Sequence, residues 1–153
     1  MQSFRPYPRP ASGSTAASRA PSAPASSSCW ASRTPTPSTS YPSWPKKCAG
    51  LRIFKDENDK LNLSAKDLGY SALVVSQFTL YGDTKKGFRP SFIKAAKPPL
   101  AVDAYELFLA EMNRQGLKSV QHGEFGADMQ VSLVNEGPCT IVIDTDEWHK
   151  GEK

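Results

Sequence analysis

The chain has 153 residues, enough for one domain and short for two. Hydrophobic residues make up 39% and charged residues 22%, and no run of about 18 apolar residues occurs, which excludes a helical membrane span within this sequence. The formal charge of +4 is unevenly placed: residues 1–50 carry six Lys or Arg and no Asp or Glu, whereas 51–153 carry thirteen basic against fifteen acidic residues, a net of −2. The basic excess therefore says little about the partner of the part that reads as folded.

Residues 1–50 also hold nine of the thirteen prolines and twelve serines, with no Leu, Ile or Val. Such a stretch cannot bury enough apolar surface to offset the entropy of ordering. The composition predicts a disordered segment over 1–45 and a folded domain over 46–153. Three cysteines, Cys29, Cys48 and Cys139, are too few and too scattered for a disulfide framework or a zinc site, so a reducing compartment is expected.

From Leu51 the pattern becomes globular. Leu51 to Phe54 is a short apolar patch ahead of a charged turn, Lys55 to Lys60. Ser71 to Leu80 is rich in β-branched and aromatic residues and too short for a typical helix, which predicts a strand. Tyr81 to Phe92 reads as a loop with Gly, Pro and three cations. Asp103 to Gln115 reads as a helix, with Ala104, Leu107, Phe108 and Met112 on one face and Leu109 beside it. Asp103 and Glu106 have capping-box spacing, and Gly116 is placed to stop the helix. Two further strands are predicted, Asp128 to Val134 and Cys139 to Asp144, joined by the turn residues Asn135-Glu136-Gly137-Pro138. Strand, helix and a hairpin-like strand pair together indicate an α+β domain.

Two features suggest chemistry. Ser76, Gln77 and Thr79 interrupt an otherwise apolar run, so they either face solvent or need partners or a ligand. Gly137-Pro138 directly precedes a predicted strand. Pro cannot donate to a ladder, so the pair is either an ordinary hairpin turn or a rigid bend that offers main-chain carbonyls to a ligand. Conventional catalytic sets are missing from the pattern: His122 and His149 have no metal-ligand spacing with any cysteine, and no glycine-rich phosphate loop follows a strand. Cys139 at the head of a strand reads as packing rather than as a nucleophile. Lys85, Lys86 and Arg89 form a modest basic loop, either solvated or in contact with phosphates. Tyr105, Phe108 and Phe125 read as core.

Ser76-Gln77-Phe78-Thr79-Leu80, followed by Asp83-Thr84-Lys85-Lys86-Gly87 and Arg89-Pro90-Ser91-Phe92, resembles the first signature of the D-aminoacyl-tRNA deacylase family. Asn135-Glu136-Gly137-Pro138-Cys139-Thr140 is similar to its second signature, Asn-x-Gly-Pro-x-Thr, and Phe125-Gly126-Ala127-x-Met129-Gln130-Val131 resembles the segment between. The resemblance covers residues 46–150. It implies an incomplete deacylase-like α+β fold, mostly antiparallel, with one main helix. It implies a cytoplasmic, homodimeric, metal-free esterase without cofactor that removes D-amino acids, and glycine mischarged on tRNA-Ala, from the 3′ end of tRNA. Gly137 and Pro138 would form a cis pair whose carbonyls reach into the partner's pocket, meet the substrate's α-amino group and leave no room for an L side chain. Ser76, Gln77 and Thr79 would line the pocket around the terminal adenosine and the scissile ester. Asn135, Thr140, Phe125 and Met129 would complete the substrate pocket, and Lys85, Lys86 and Arg89 would contact the tRNA. Thr79 is either a nucleophile or a positioning group; the second fits the lack of an activating base and leaves catalysis to orientation, a main-chain oxyanion hole and the ribose 2′-hydroxyl.

The first third departs from the family, whose members open with an Ala-Val-Val-Gln-like strand, a Gly-Leu-Leu-Val-Leu-Leu-Gly-Val-like strand and a helix running into Lys46. Read one base earlier, with TCN serines, the codons of Pro24 to Ser32 permit Gly-Leu-Leu-Val-Leu-Leu-Gly-Val, and the Cys29 and Trp30 codons force the last Leu and the Gly. Gln2 to Arg5 likewise permits Ala-Val-Val-Gln, with Ala forced. These coincidences indicate a shifted reading frame up to about Pro45. An organelle transit peptide, rich in Ser, Ala and Arg and free of acids, is the rival for this segment. A non-catalytic product with a basic tail and weak RNA binding is the rival for the whole chain.

Overall fold

The structure, a computed structural model, describes residues 25–30, 43–131, 133 and 139–144; for 25–30 it describes the main chain. The elements are β1 (Ala25–Trp30), α1 (Ser43–Gly50), β2 (Phe54–Lys55), β3 (Leu61–Leu63), β4 (Ser71–Ser76), a 3-10 helix (Phe78–Tyr81), α2 (Leu100–Asn113) and β5 (Val120–His122).

β4 organises the molecule. Ser71, Ala72, Leu73, Val74 and Val75 are all buried, the pattern of a strand covered on both faces. It lies between β1 and β5 in a three-stranded sheet of order β1-β4-β5, parallel throughout. Parallel neighbours need crossovers, and α2 supplies the one between β4 and β5. The expectation of a mostly antiparallel sheet is corrected for the described residues: among them antiparallel pairing is confined to β2 with β3 and to an isolated bridge between Asp83 and Ser91.

The core forms where α2 lies on β4. Ala72, Val74, Ala104, Tyr105, Phe108 and Met112 make one buried cluster, flanked by Trp44, Cys48, Leu117, Val120 and Phe125. Trp44 of α1 meets Phe108 edge to face at 5.4 Å between ring centroids, which joins the two helices. Helical periodicity located Ala104, Phe108 and Met112 correctly. Leu107 is 46% exposed, and Ala101 and Tyr105 occupy the buried stripe instead. The helix also starts earlier than the capping box suggested, behind Pro98-Pro99, with no side-chain cap. Proline at a helix start withholds only an N–H that would have no partner there, so Asp103 is left as a first-turn charge favourable to the helix dipole. Gly116, at φ +79°, follows the last turn as expected of a stop.

The charged turn between β2 and β3 is held by Asp56, whose Oδ1 accepts the N–H groups of Asn58 at 2.8 Å and Lys60 at 3.1 Å. Phe54 packs edge to face on Tyr70 at 5.0 Å, tying this hairpin to the start of β4.

Three further expectations are corrected. The segment 1–45 is not irregular throughout: Ala25–Trp30 pairs with Ser71–Ser76 in parallel register, Ala25 opposite Ser71 and Trp30 opposite Ser76, and α1 begins at Ser43. A ladder uses main-chain groups that every sequence carries, so a serine-rich segment can join one. The strand expected over 71–80 ends at Ser76, where its pairing with β1 ends and the chain turns into the 3-10 helix. The strands expected over 128–134 and 139–144 are not formed in their described parts, which are irregular. The neighbouring positions of β4 are taken by β1 and β5, and Leu133 and Val142 are 60% and 89% exposed.

Candidate active site

The C-terminal end of β4 delivers three polar residues into a tight turn. Ser76 closes the strand, half-buried. Gln77 follows with φ −145° and ψ 80°, opening the 3-10 helix, and its side-chain amide donates to the Thr79 hydroxyl. The Gly82 N–H donates to the Thr79 carbonyl at 2.9 Å and closes the turn. A side chain at Gly82 would stand 3.0 Å from that carbonyl and 3.1 Å from the Phe92 ring, so it would crowd the closed turn. Phe78 and Phe92 meet edge to face at 5.2 Å across the turn. Thr79 is exposed, which leaves its hydroxyl open to a ligand.

A second segment is held against the same strand. The Val74 carbonyl, two residues before Ser76, accepts the Gly123 N–H at 3.1 Å and the Tyr105 hydroxyl at 3.0 Å. That hydroxyl also lies 3.2 Å from the Gly123 carbonyl. The buried phenol thus joins α2, β4 and the chain leaving β5, and burial raises its pKa above the ordinary phenol value. Phe125 packs on the Tyr105 ring at 5.7 Å, and Met129 covers Gly123 so closely that a side chain there would meet Sδ at 2.3 Å. Phe125 and Met129 are thereby brought to the β4 side of the molecule, both half-buried. Gly123 and Tyr105 were not read from the sequence as parts of this arrangement. Neither belongs to a signature, and the close approach of Met129 to Gly123 exists only in three dimensions.

Lys85, Lys86 and Arg89 are exposed on the loop after the 3-10 helix. Thr140 is exposed. Asn135, Gly137 and Pro138 lie outside the described residues, so the loop expected to select the substrate's hand stands on the sequence alone. Cys48 is removed from nucleophilic chemistry, because burial pushes its thiol up to about 11. Among the described residues no group of three or more His, Cys, Asp or Glu side chains is gathered in metal-ligand fashion, and no helix is long and apolar enough to cross a membrane.

The family model for D-Tyr-tRNA(Tyr) deacylase matches residues 36–144, and the chain belongs to that family. The D-aminoacyl-tRNA deacylase of Fusobacterium nucleatum subsp. nucleatum is 57% identical over 99 residues, covering 65% of this chain and 65% of the relative. That of Porphyromonas gingivalis is 56% identical over 99 residues, covering 65% and 66%. The chain thus spans about two thirds of the length of these curated relatives. The solved structure of the c-Myc DNA Unwinding Element Binding Protein is similar with a TM-score of 0.69 at 32% identity, covering 78% of this chain and 80% of that one.

Proposed function

We propose that the chain hydrolyses the ester bond between a D-amino acid and the 3′-terminal ribose of tRNA, an enzyme of chiral quality control in translation. The observation that carries the proposal is the turn after β4, in which Gln77, next in sequence to Ser76, donates to the exposed Thr79 hydroxyl, inside the family match. Orientation is the chemistry this turn favours: the Gln77 amide donates to Thr79, which fixes its hydroxyl without making it a stronger nucleophile. The ester carbonyl would be polarised by main-chain N–H groups, and the ribose 2′-hydroxyl would take part in the attack. Gly137 and Pro138 would exclude the L side chain, with Asn135, Thr140, Phe125 and Met129 completing the pocket. Glycine, which has no side chain to exclude, would be accepted as well. The enzyme would act in the cytoplasm, without cofactor.

A homodimer completes the proposal, with Gly137 and Pro138 entering the partner's pocket. It is supported by exposed apolar residues on both sides of that loop, Leu133 before it and Ile141 and Val142 after it. Single-turnover hydrolysis of D-tyrosyl-tRNA by the Thr79→Ala variant tests the chemical assignment. The orientation account expects measurable turnover with D-selectivity intact. Abolished turnover with retained substrate binding would instead make Thr79 the nucleophile.

A further inference from the structure

Gly123, buried in the chain leaving β5, is held at both of its main-chain polar groups. Its N–H donates to the Val74 carbonyl at 3.1 Å, and its carbonyl lies 3.2 Å from the Tyr105 hydroxyl and 3.1 Å from Nδ1 of His122. The turn that follows is closed by the Ala127 N–H on the Glu124 carbonyl at 3.3 Å, with Gly126 at φ +77°. It returns the chain, and the end of the Met129 side chain comes to lie on the bare Cα of Gly123. A methyl built on that Cα would overlap Sδ, with Cε at 3.6 Å and Cγ at 3.9 Å.

A thioether chain is flexible, so it keeps one position only where its surroundings supply a seat. The seat here is referenced to β4. Ala72 and Val74 of that strand face α2 in the core, and Ser76, two residues further, continues the same face. The clamp on the Val74 carbonyl therefore ties Gly123, and Met129 upon it, to the strand that ends in Ser76 and Gln77. We propose that Gly123 is a positioning residue for the ester hydrolysis: its missing side chain seats the Met129 thioether, and its clamp on β4 sets where that thioether meets the bound substrate. This role rests on the proposed function, in which Met129 belongs to the substrate pocket. Gly123 itself touches no substrate and acts through Met129. Its φ lies outside the left-handed region that Gly116 and Gly126 occupy, and the atoms a side chain would meet are the end of a flexible one. Alanine therefore suits the backbone at this position and displaces Met129 without unfolding the chain.

The test uses the full chain, with D-tyrosyl-tRNA as substrate. Gly123→Ala should raise KM about 10-fold with kcat nearly unchanged, because a displaced pocket wall weakens ground state and transition state alike. Met129→Ala should raise KM as well, and in that background Gly123→Ala should have no further effect. Methyl NMR on methionine-labelled protein adds a readout that needs no turnover. Of the three methionines, Met1, Met112 and Met129, the Met129 methyl is assigned by its loss in Met129→Ala. It should shift in Gly123→Ala, whereas the methyl of Met112, buried in the core under α2, should not. An unchanged KM in either single variant would overturn the proposal, as would an unmoved Met129 methyl. A further rise in KM in the Met129→Ala background, or a Met112 methyl that moves too, would also overturn it by marking a purely structural glycine. A folded wild-type chain that hydrolyses no D-tyrosyl-tRNA would bring down the proposed function and this role with it. Normal hydrolysis by a chain indifferent to Gly123→Ala would bring down the role alone.

Discussion

Tyr105 shows how a single side chain outside any signature can position a site. Its hydroxyl has one proton and two carbonyls in reach, those of Val74 and Gly123. The Val74 carbonyl keeps the Gly123 N–H as a donor when the phenol is removed, and the ring still fills the core. Tyr105→Phe should therefore cost only about 1 kcal/mol, read as a lowered urea midpoint at unchanged slope. A loss of several kcal/mol would mean that the phenol organises the core rather than bracing the site. Cys48 gives a second prediction at this scale. With its thiol pushed up to about 11, almost none is thiolate near neutrality. Iodoacetamide at pH 7.5 should modify the exposed Cys139 long before Cys48, and Cys48 should react only as the pH approaches its raised value or the chain unfolds. Comparable rates by peptide mapping would contradict the burial. At this scale the sequence revealed Ser76, Gln77 and Thr79, because polar groups in an apolar run are conspicuous. It hid Gly123, whose contact with Met129 exists only in three dimensions.

Among the elements, α2 was legible because its buried stripe repeats at the helical period, although Leu107 falls off that stripe and Tyr105 falls on it. β5 was not legible: three residues, Val120 to His122, are too few to show a period. β1 was hidden for a different reason. Its Ala-Ser-Ser-Ser-Cys-Trp sequence has no strand pattern, and its pairing with β4 rests on main-chain groups. It nonetheless falls inside Pro24 to Ser32, the segment whose neighbouring frame reads as an aliphatic strand. Because β4 is buried on both faces, the strand beside it should lie in apolar surroundings. Replacing Ser26, Ser27 and Ser28 by Leu, Leu and Val should therefore stabilise the chain, by on the order of 1 kcal/mol or more per residue that becomes buried. A melting temperature that falls or does not move would show that β1 does not occupy that place in solution.

At the scale of the whole molecule, the class of fold was legible and its strand arrangement was not. A mixed α and β order follows from local patterns, whereas the parallel pairing of β1, β4 and β5 depends on crossovers between distant segments that no local pattern records. The two signatures located the family because they sit in register, one at the end of β4 and the other around Gly137. Chirality would be enforced by the loop around Gly137, acting across a dimer. The most direct measurement is the release of tyrosine by this chain from D-tyrosyl-tRNA and L-tyrosyl-tRNA, side by side under single-turnover conditions. The account predicts rapid release of the D-enantiomer and an L-tyrosyl ester that decays no faster than in buffer. Equal release of both enantiomers, or release of neither by a folded chain, would contradict it.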